Sequence, residues 1–356
     1  MKIGIIGLPQ VGKKAFFELL TGNKSQADFG KQEIKIGAAL IRDSRFDYLV
    51  SMYQPLKQVP ATIDVVLLPK FDEETVKSGE FLKSLEKCDA LCHIVRAFKD
   101  EAVFHSEGSV DPLRDIDKIL TELVLSDLIL VEKRIERIDN EKKKGASSSL
   151  QDKEREIIVR MKQTLDENKP LINFTLNDEE KKLMSTYQFL TRKPMIIVLN
   201  INDDKIIDSS LVKNVEEKYK DFQFKVMQTS AKIEAELSLL EQTERQAFLD
   251  DLNIKEPALN KLSALCFEAL GLISFFTVGK DEVRQWTVKK ASSAPQAAGA
   301  IHSDLERGFI RAEVMKYGEL YSFGSELKLK ENGKIYLKGK DYIVEDGDII
   351  NIRFNV

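Results

Sequence analysis

The feature that most restricts the fold of this chain lies in its first twenty residues. Ile3-Gly4-Ile5-Ile6 is a short apolar run, Gly7-Leu8-Pro9-Gln10-Val11-Gly12-Lys13-Lys14 is a glycine-bearing turn, and Ala15-Phe16-Phe17-Glu18-Leu19-Leu20 continues at helical spacing. Strand, glycine turn and helix in that order open a βα unit. The turn matches G-x-x-x-x-G-K-[ST] at every fixed position except the last. Its glycines let backbone N–H groups close around phosphate oxygens, the helix N-terminus adds partial positive charge, and Lys13 would reach the β- and γ-phosphates. A serine or threonine in the last position would hold magnesium through its hydroxyl, whereas the ammonium of Lys14 has no lone pair to offer.

The rest of the chain extends that opening. Ile63–Leu68, Ala90–Val95, Met195–Leu199 and Phe222–Met227 read as further strands separated by helical stretches, which predicts an α/β fold around a mostly parallel sheet. From Asp115 to Lys144 there is neither proline nor glycine, and apolar residues recur at Ile116, Ile119, Leu120, Leu123, Leu130, Ile135 and Ile138. After the polar turn Gly145–Ser149, the helical pattern resumes from Leu150 to Leu165. Two long helices with a narrow apolar stripe predict an antiparallel hairpin that projects from the body. Beyond Leu272, Phe275–Val278, Trp286–Val288, Ile335–Leu337 and Ile349–Phe354 read as strands, with a short helix near Ala297–Leu305. These form an α+β module of about eighty residues, a usual domain size.

A chain of 356 residues accommodates these pieces, and its net charge of −4 argues against general nucleic-acid binding. Cys88, Cys92 and Cys266 are three in number, so no disulfide framework is implied. Cys88, Cys92 and His93 could suggest a metal site, but Leu91–Val95 reads as a buried strand in which free cysteine is ordinary, and no metal ligand is assigned. The absence of a signal peptide or a run of about 18 apolar residues places the chain in the cytoplasm, with no membrane partner. It is expected to be a monomer.

A second part of the nucleotide site follows in order. Met195–Leu199 runs into Asn200-Ile201-Asn202-Asp203, which fits N-K-x-D at Asn200 and Asp203, with Ile201 where the lysine would pack on the base. Thr229-Ser230-Ala231-Lys232 resembles the Ser-Ala-Lys loop that closes over the base. The candidate nucleotide-binding residues are therefore Gly7, Pro9, Gln10, Val11, Gly12, Lys13, Lys14, Asn200, Asp203, Ser230 and Ala231.

The chain resembles the YchF subfamily of Obg-like P-loop ATPases over nearly its whole length. Its C-terminal part carries the most specific match: Phe275–Gly279, Glu282–Thr287, Ala294–Gly299, Ile301–Asp304, Gly308–Val314 and Gly339–Asp348, closing on Arg353-Phe354-Asn355-Val356. The resemblance implies a Ras-like P-loop G domain (1–114 and 191–272), an inserted helical arm (115–190) and a β-grasp TGS domain (273–356). It also implies ATP rather than GTP, since the family's base motif is N-x-x-E; here the motif ends in the shorter Asp203. His105, in Val103–Gly108, falls where the family places a histidine that assists hydrolysis; the same residue could equally be a loop histidine without a role.

Departures from the family concentrate on the metal. Ala61-Thr62-Ile63-Asp64-Val65-Val66 leads into Leu67-Leu68-Pro69-Lys70, so Leu67 stands at the aspartate and Lys70 at the glycine of D-x-x-G. The switch threonine aligns with Lys31. Magnesium asks for hard oxygen ligands, and three are lost together, which makes Mg²⁺ doubtful. The three lysines at 14, 31 and 70 allow two readings. Either a solvated groove has filled with lysines, or their ammonium groups replace part of the cation's charge. Three functions follow: a weak or metal-independent nucleotide binder acting as an interaction module; an active ATPase using His105; or a ribosome- or RNA-associated adaptor that binds through its TGS domain and arm. Val131–Lys169 holds eleven basic against nine acidic residues, with Lys142-Lys143-Lys144 near the tip, so the arm supports a phosphate contact only weakly.

Overall fold

A computed structural model describes residues 1–22, 34–69, 71, 79–145, 148–252, 254 and 256–355. The chain divides into two compact units, Met1–Gly37 with Asp64–Leu262, and Ala38–Ile63 with Ser263–Val356. The fold is α/β, as read from the sequence. Its first strands are β1 (Lys2–Ile6), β2 (Lys35–Leu40), β3 (Lys57–Val59), β4 (Thr62–Leu67), β5 (Ala90–Arg96), β6 (Met195–Asn200) and β7 (Lys225–Thr229).

Six of these form a sheet in the order β2-β4-β1-β5-β6-β7. The pairs β1–β4, β1–β5, β5–β6 and β6–β7 are all parallel. Every residue of β5 and β6 is buried, as a strand covered on both faces requires. Chain order reverses at β1, whose neighbours β4 and β5 both come later, and crevices beyond the carboxyl ends of such strands are where ligands settle. One boundary differs from the sequence reading: β7 starts at Lys225 rather than Phe222. Lys220–Phe222 forms a single 3-10 turn, and Gln223 takes a left-handed φ of 53°, which prevents the extended run from starting there.

The long helix Pro112–Lys143 starts earlier than its periodicity suggested, because Asp111 caps it, its side chain accepting from the Arg114 N–H, and Pro112 occupies the first turn. Its opening turns bury Ile116, Ile119, Leu120 and Leu123, so they are anchored. Beyond them, buried apolar positions thin to Val124, Val131 and Ile138, a seven-residue spacing that makes a narrow coiled-coil seam. The returning helix Ser149–Asp166 begins with a capping box between Ser148 and Gln151. It places Ile157, Ile158, Met161 and Leu165 in a cluster with Leu171, Leu176, Met184 and Phe189. Ion pairs cross between the helices, including Arg134 with Glu154, Arg155 with Asp139 and Lys142 with Asp152.

The second unit adds β8 (Leu272–Thr277), β9 (Glu282–Lys289), β10 (Phe309–Lys316), β11 (Tyr336–Lys338) and β12 (Asp348–Phe354). Its sheet runs β11-β10-β12-β8-β9-β3. The expected single helix is two, Ala294–Ile301 and Ser303–Arg307. They part at His302, whose backbone is extended and whose Nδ1 accepts the Asp304 N–H at 3.2 Å. Ala294, Ala297 and Ala298 pack with Phe275, Val288, Val314 and Ile350, which fills one face of the sheet.

Candidate functional site

The phosphate loop leaves the carboxyl end of β1 and enters the helix Lys13–Thr21. Its path needs its glycines. Gly7 has φ 148°, and a Cβ there would lie 2.4 Å from the Ile94 carbonyl oxygen on β5. Gly12 has φ 104°, and a Cβ there would lie 2.7 Å from the Asn200 amide nitrogen. Gln10 at the turn also adopts a left-handed φ of 60°. A bare backbone held this close to its neighbours is a cradle into which phosphate oxygens fit. Lys13 donates to the Gly7 carbonyl at 2.5 Å, across the mouth of the same loop. Lys14 lies one residue further, half exposed, with its ammonium 3.8 Å from the Glu18 carboxylate.

Asn200 ends β6 and joins the two loops expected to hold nucleotide. Its Nδ2 donates to the Val11 carbonyl at 3.0 Å, and its Oδ1 accepts from the Ala231 N–H at 3.0 Å. Both halves of a buried amide are thereby satisfied. Ser230 caps the helix Ala231–Leu239 and donates to Asp203 at 2.5 Å, while Lys232 reaches the other Asp203 oxygen at 3.0 Å. Burial acts to raise the Asp203 pKa, but these hydrogen bonds outweigh it and hold the carboxyl below its ordinary value. Asn200, Asp203, Ser230 and Ala231 therefore share one cluster, and Asn200 connects it to Val11 of the phosphate loop.

Of the positions on the expected metal side, the two that are described carry no side-chain oxygen for magnesium. Position 14 carries an ammonium, and Leu67 ends β4 as a hydrocarbon paired in register with Ile5; neither offers an oxygen. Lys31 and Lys70 lie outside the described residues.

His105 is buried and has both ring nitrogens engaged. Nε2 lies 3.0 Å from an Asp115 carboxylate oxygen, and Nδ1 accepts the Glu107 N–H at 3.1 Å. With Nδ1 accepting, Nε2 carries the hydrogen toward Asp115. Arg114 binds the other Asp115 oxygen at 2.7 Å. Sequence reasoning missed both Asp115 and Arg96. The Arg96 guanidinium is buried at the end of β5 and donates to the carbonyls of Phe98, Asp100, Val103 and Phe104, with Phe98 stacked 4.5 Å away. An arginine closing an apolar strand was the available signal.

His93 is also buried, three residues before Arg96 in β5 and therefore on the opposite face of the sheet, yet among the described residues neither ring nitrogen has a partner. Burial first, then the nearby Lys13 charge, pushes its pKa down to about 3. Burial likewise raises the Cys88 thiol to about 11 and Cys92 to about 12, so both stay protonated. No helix among the described residues is long and apolar enough to cross a membrane.

Comparison with known proteins bears on the family of the chain. Residues 272–355 match the YchF-GTPase_C family model, described as a protein of unknown function. The chain is 38% identical over 364 residues to "Ribosome-binding ATPase YchF" of Bacillus subtilis, covering 99% of each chain. It is 38% identical to the human "Obg-like ATPase 1", covering 100% of this chain and 92% of that one. A solved structure of the Schizosaccharomyces pombe YchF GTPase superposes with a TM-score of 0.85 at 31% identity, covering 99% of this chain and 97% of that one.

Proposed function

The chain belongs to the YchF family of Obg-like P-loop proteins, and on that footing we propose that it is a nucleotide binder in which magnesium-assisted hydrolysis is weak or absent. The observation that carries this reading is a split within one site. The backbone cradle is intact at Gly7, Gly12 and Lys13, while Lys14 and Leu67 stand where metal ligands would be. Phosphoryl transfer depends on positioning and charge neutralisation, which magnesium supplies when bound. Here the protein's own groups would hold the phosphates by backbone N–H and by Lys13, once it turns from the Gly7 carbonyl. Asn200 keeps the phosphate loop and the base loop in register. ATP is the nucleotide that the resemblance favours. His105 acts as a fastener of its loop rather than as a general base, because both of its nitrogens are in use.

Several relatives are named as ribosome-binding ATPases, and we carry that partner over as part of the proposal. It implies a cytoplasmic place of work, and a monomer suffices for it. The cross-helix ion pairs of the arm consume much of its basic charge, including Lys142 at the tip, so the arm is a poor general RNA binder. An adaptor that needs no nucleotide is the second reading. It is favoured by the internal contacts of Lys13 with Gly7 and of Asp203 with Ser230 and Lys232.

Calorimetric titration with ATP and ADP, in magnesium and in EDTA, tests the proposal. Similar affinity in both conditions, falling steeply with salt, supports metal-independent binding. Lys14→Ser should then weaken binding, since it restores a hydroxyl but not the carboxylate missing at Leu67. ATP turnover typical of intact P-loop ATPases and abolished by chelator would refute it. No binding in either condition would favour the adaptor.

A further inference from the structure

At the amino ends of β5 and β6, opposite the phosphate loop, lies a cavity of about 310 Å³. Asp89, just before β5, and Pro194, just before β6, stand in its wall. A volume near 300 Å³ is within the range of small-molecule sites. Leu176, Met184 and Phe189 make the wall partly apolar, and the Phe189 ring stacks on Tyr187 with centroids 5.6 Å apart.

Three cations line the same cavity, Lys181, Arg192 and Lys193, and Lys181 is already paired with Asp178 at 2.9 Å. The buried Nη1 of Arg192 has no hydrogen-bond partner, and no ion pair to Arg192 is present among the described residues. Its neighbour Lys193 hydrogen-bonds to neutral acceptors, the Cys88 carbonyl at 2.5 Å, the Glu86 carbonyl at 3.2 Å and the Gln188 side chain at 3.5 Å, while the carboxylates of Asp89, Glu86 and Asp127 act on it through space. The carboxylate in the wall, Asp89, accepts the backbone N–H of Lys2 at 2.7 Å. An unsatisfied guanidinium nitrogen is costly; Nη1 is closed off from solvent, so a planar anion forms two charge-assisted bonds once the half-buried side chain turns its fork toward the cavity.

We propose that this cavity binds a small organic anion, a carboxylate or phosphate monoester on an apolar or aromatic body, with Arg192 taking the anionic group and the wall around Phe189 and Met184 taking the body. The site is separate from the nucleotide site: the phosphate loop follows the carboxyl end of β1, whereas the cavity precedes the amino end of β6. An anion here replaces the missing partner of Arg192, and the apolar part of the wall, Leu176, Met184 and Phe189, favours an organic body over a bare inorganic ion.

The test uses the full chain and three probes: benzoate, phenyl phosphate and inorganic phosphate, each titrated calorimetrically and in thermal melts. Saturable binding of benzoate or phenyl phosphate is expected, at least about tenfold tighter than inorganic phosphate, and whichever binds identifies the head group. Arg192→Met should weaken it by about tenfold or more, and Arg192→Lys by less, because the ammonium lacks the planar fork. Lys13→Met, in the phosphate loop, should leave benzoate binding unchanged. Arg192→Met removes a half-buried charge whose Nη1 is unpartnered, so the free variant should melt no lower than the parent, and its melting temperature should no longer respond to the probe. The proposal is overturned by any of three results: no saturable binding of either organic probe, undiminished binding by Arg192→Met, or loss of benzoate binding in Lys13→Met.

Discussion

The phosphate loop and the loop after β5 leave the carboxyl ends of adjacent parallel strands, yet they hold their shapes by opposite means. The phosphate loop depends on missing side chains: a Cβ at Gly7 or Gly12 would collide with Ile94 or Asn200. The loop after β5 depends on side chains, with Arg96 gathering four carbonyls and His105 fastened to Asp115. The first arrangement leaves backbone N–H groups for a ligand. The second consumes its polar groups internally and leaves His105 little to offer one.

The largest effect should come from breaking the first loop. Gly12→Ala puts a Cβ at 2.7 Å from the Asn200 amide and at a left-handed φ. The strain costs about 2 kcal/mol or more, and nucleotide affinity should fall at least about thirtyfold. Titration calorimetry measures it; an unchanged affinity would mean that the cradle is not the binding site. Breaking the second loop should cost stability and not turnover. His105→Ala removes one buried and one part-buried hydrogen bond and should lower unfolding free energy by about 2 kcal/mol in urea melts. Whatever slow ATP hydrolysis exists should change little, and a steep loss with a normal melt would restore the catalytic role.

The smallest effect at neutral pH concerns His93, whose ring nitrogens have no hydrogen-bond partner among the described residues. His93→Leu should stabilise by about 1 kcal/mol, because an unsatisfied polar group is replaced by a hydrocarbon of similar size. The sign with pH follows from its pKa near 3 in the folded chain against an ordinary value of 6.5. Above pH 6.5 the group is neutral in both states and adds no pH dependence. As pH falls below 6.5 the unfolded chain takes up a proton that the folded chain refuses, so the parent loses up to about 1.4 kcal/mol per pH unit from this residue. The gain from His93→Leu should therefore widen between pH 6.5 and the acid limit of folding. A constant gain would mean that the imidazole finds a proton partner in the fold.

Legibility in the sequence followed locality. The phosphate loop was readable because strand, glycines, lysine and helix are contiguous, and Asn200 because it ends an apolar strand in the right order. The arm's helices were readable from their periodicity, although the true start at Pro112 depended on the Asp111 cap. Arg96 and Asp115 escaped because an arginine on carbonyls and a carboxylate on a histidine look, in sequence, like any strand end and helix start. The cavity beside Arg192 could not be read at all, since residues 89, 176 and 192 meet only when β5, β6 and the arm's base come together.

The sequence by itself determined the βα opening, the helical arm, the C-terminal module and the lack of a side-chain oxygen at positions 14 and 67. These depend on short-range order and on side-chain chemistry, which do not change with packing. Tertiary structure alone decided the partners. It left Arg192 and His93 without one, engaged both nitrogens of His105, and paired the short strand Lys57–Val59 with Glu282–Lys289 far along the chain. A polar group's role is set by what it meets, and what it meets is chosen by burial of the apolar residues around it.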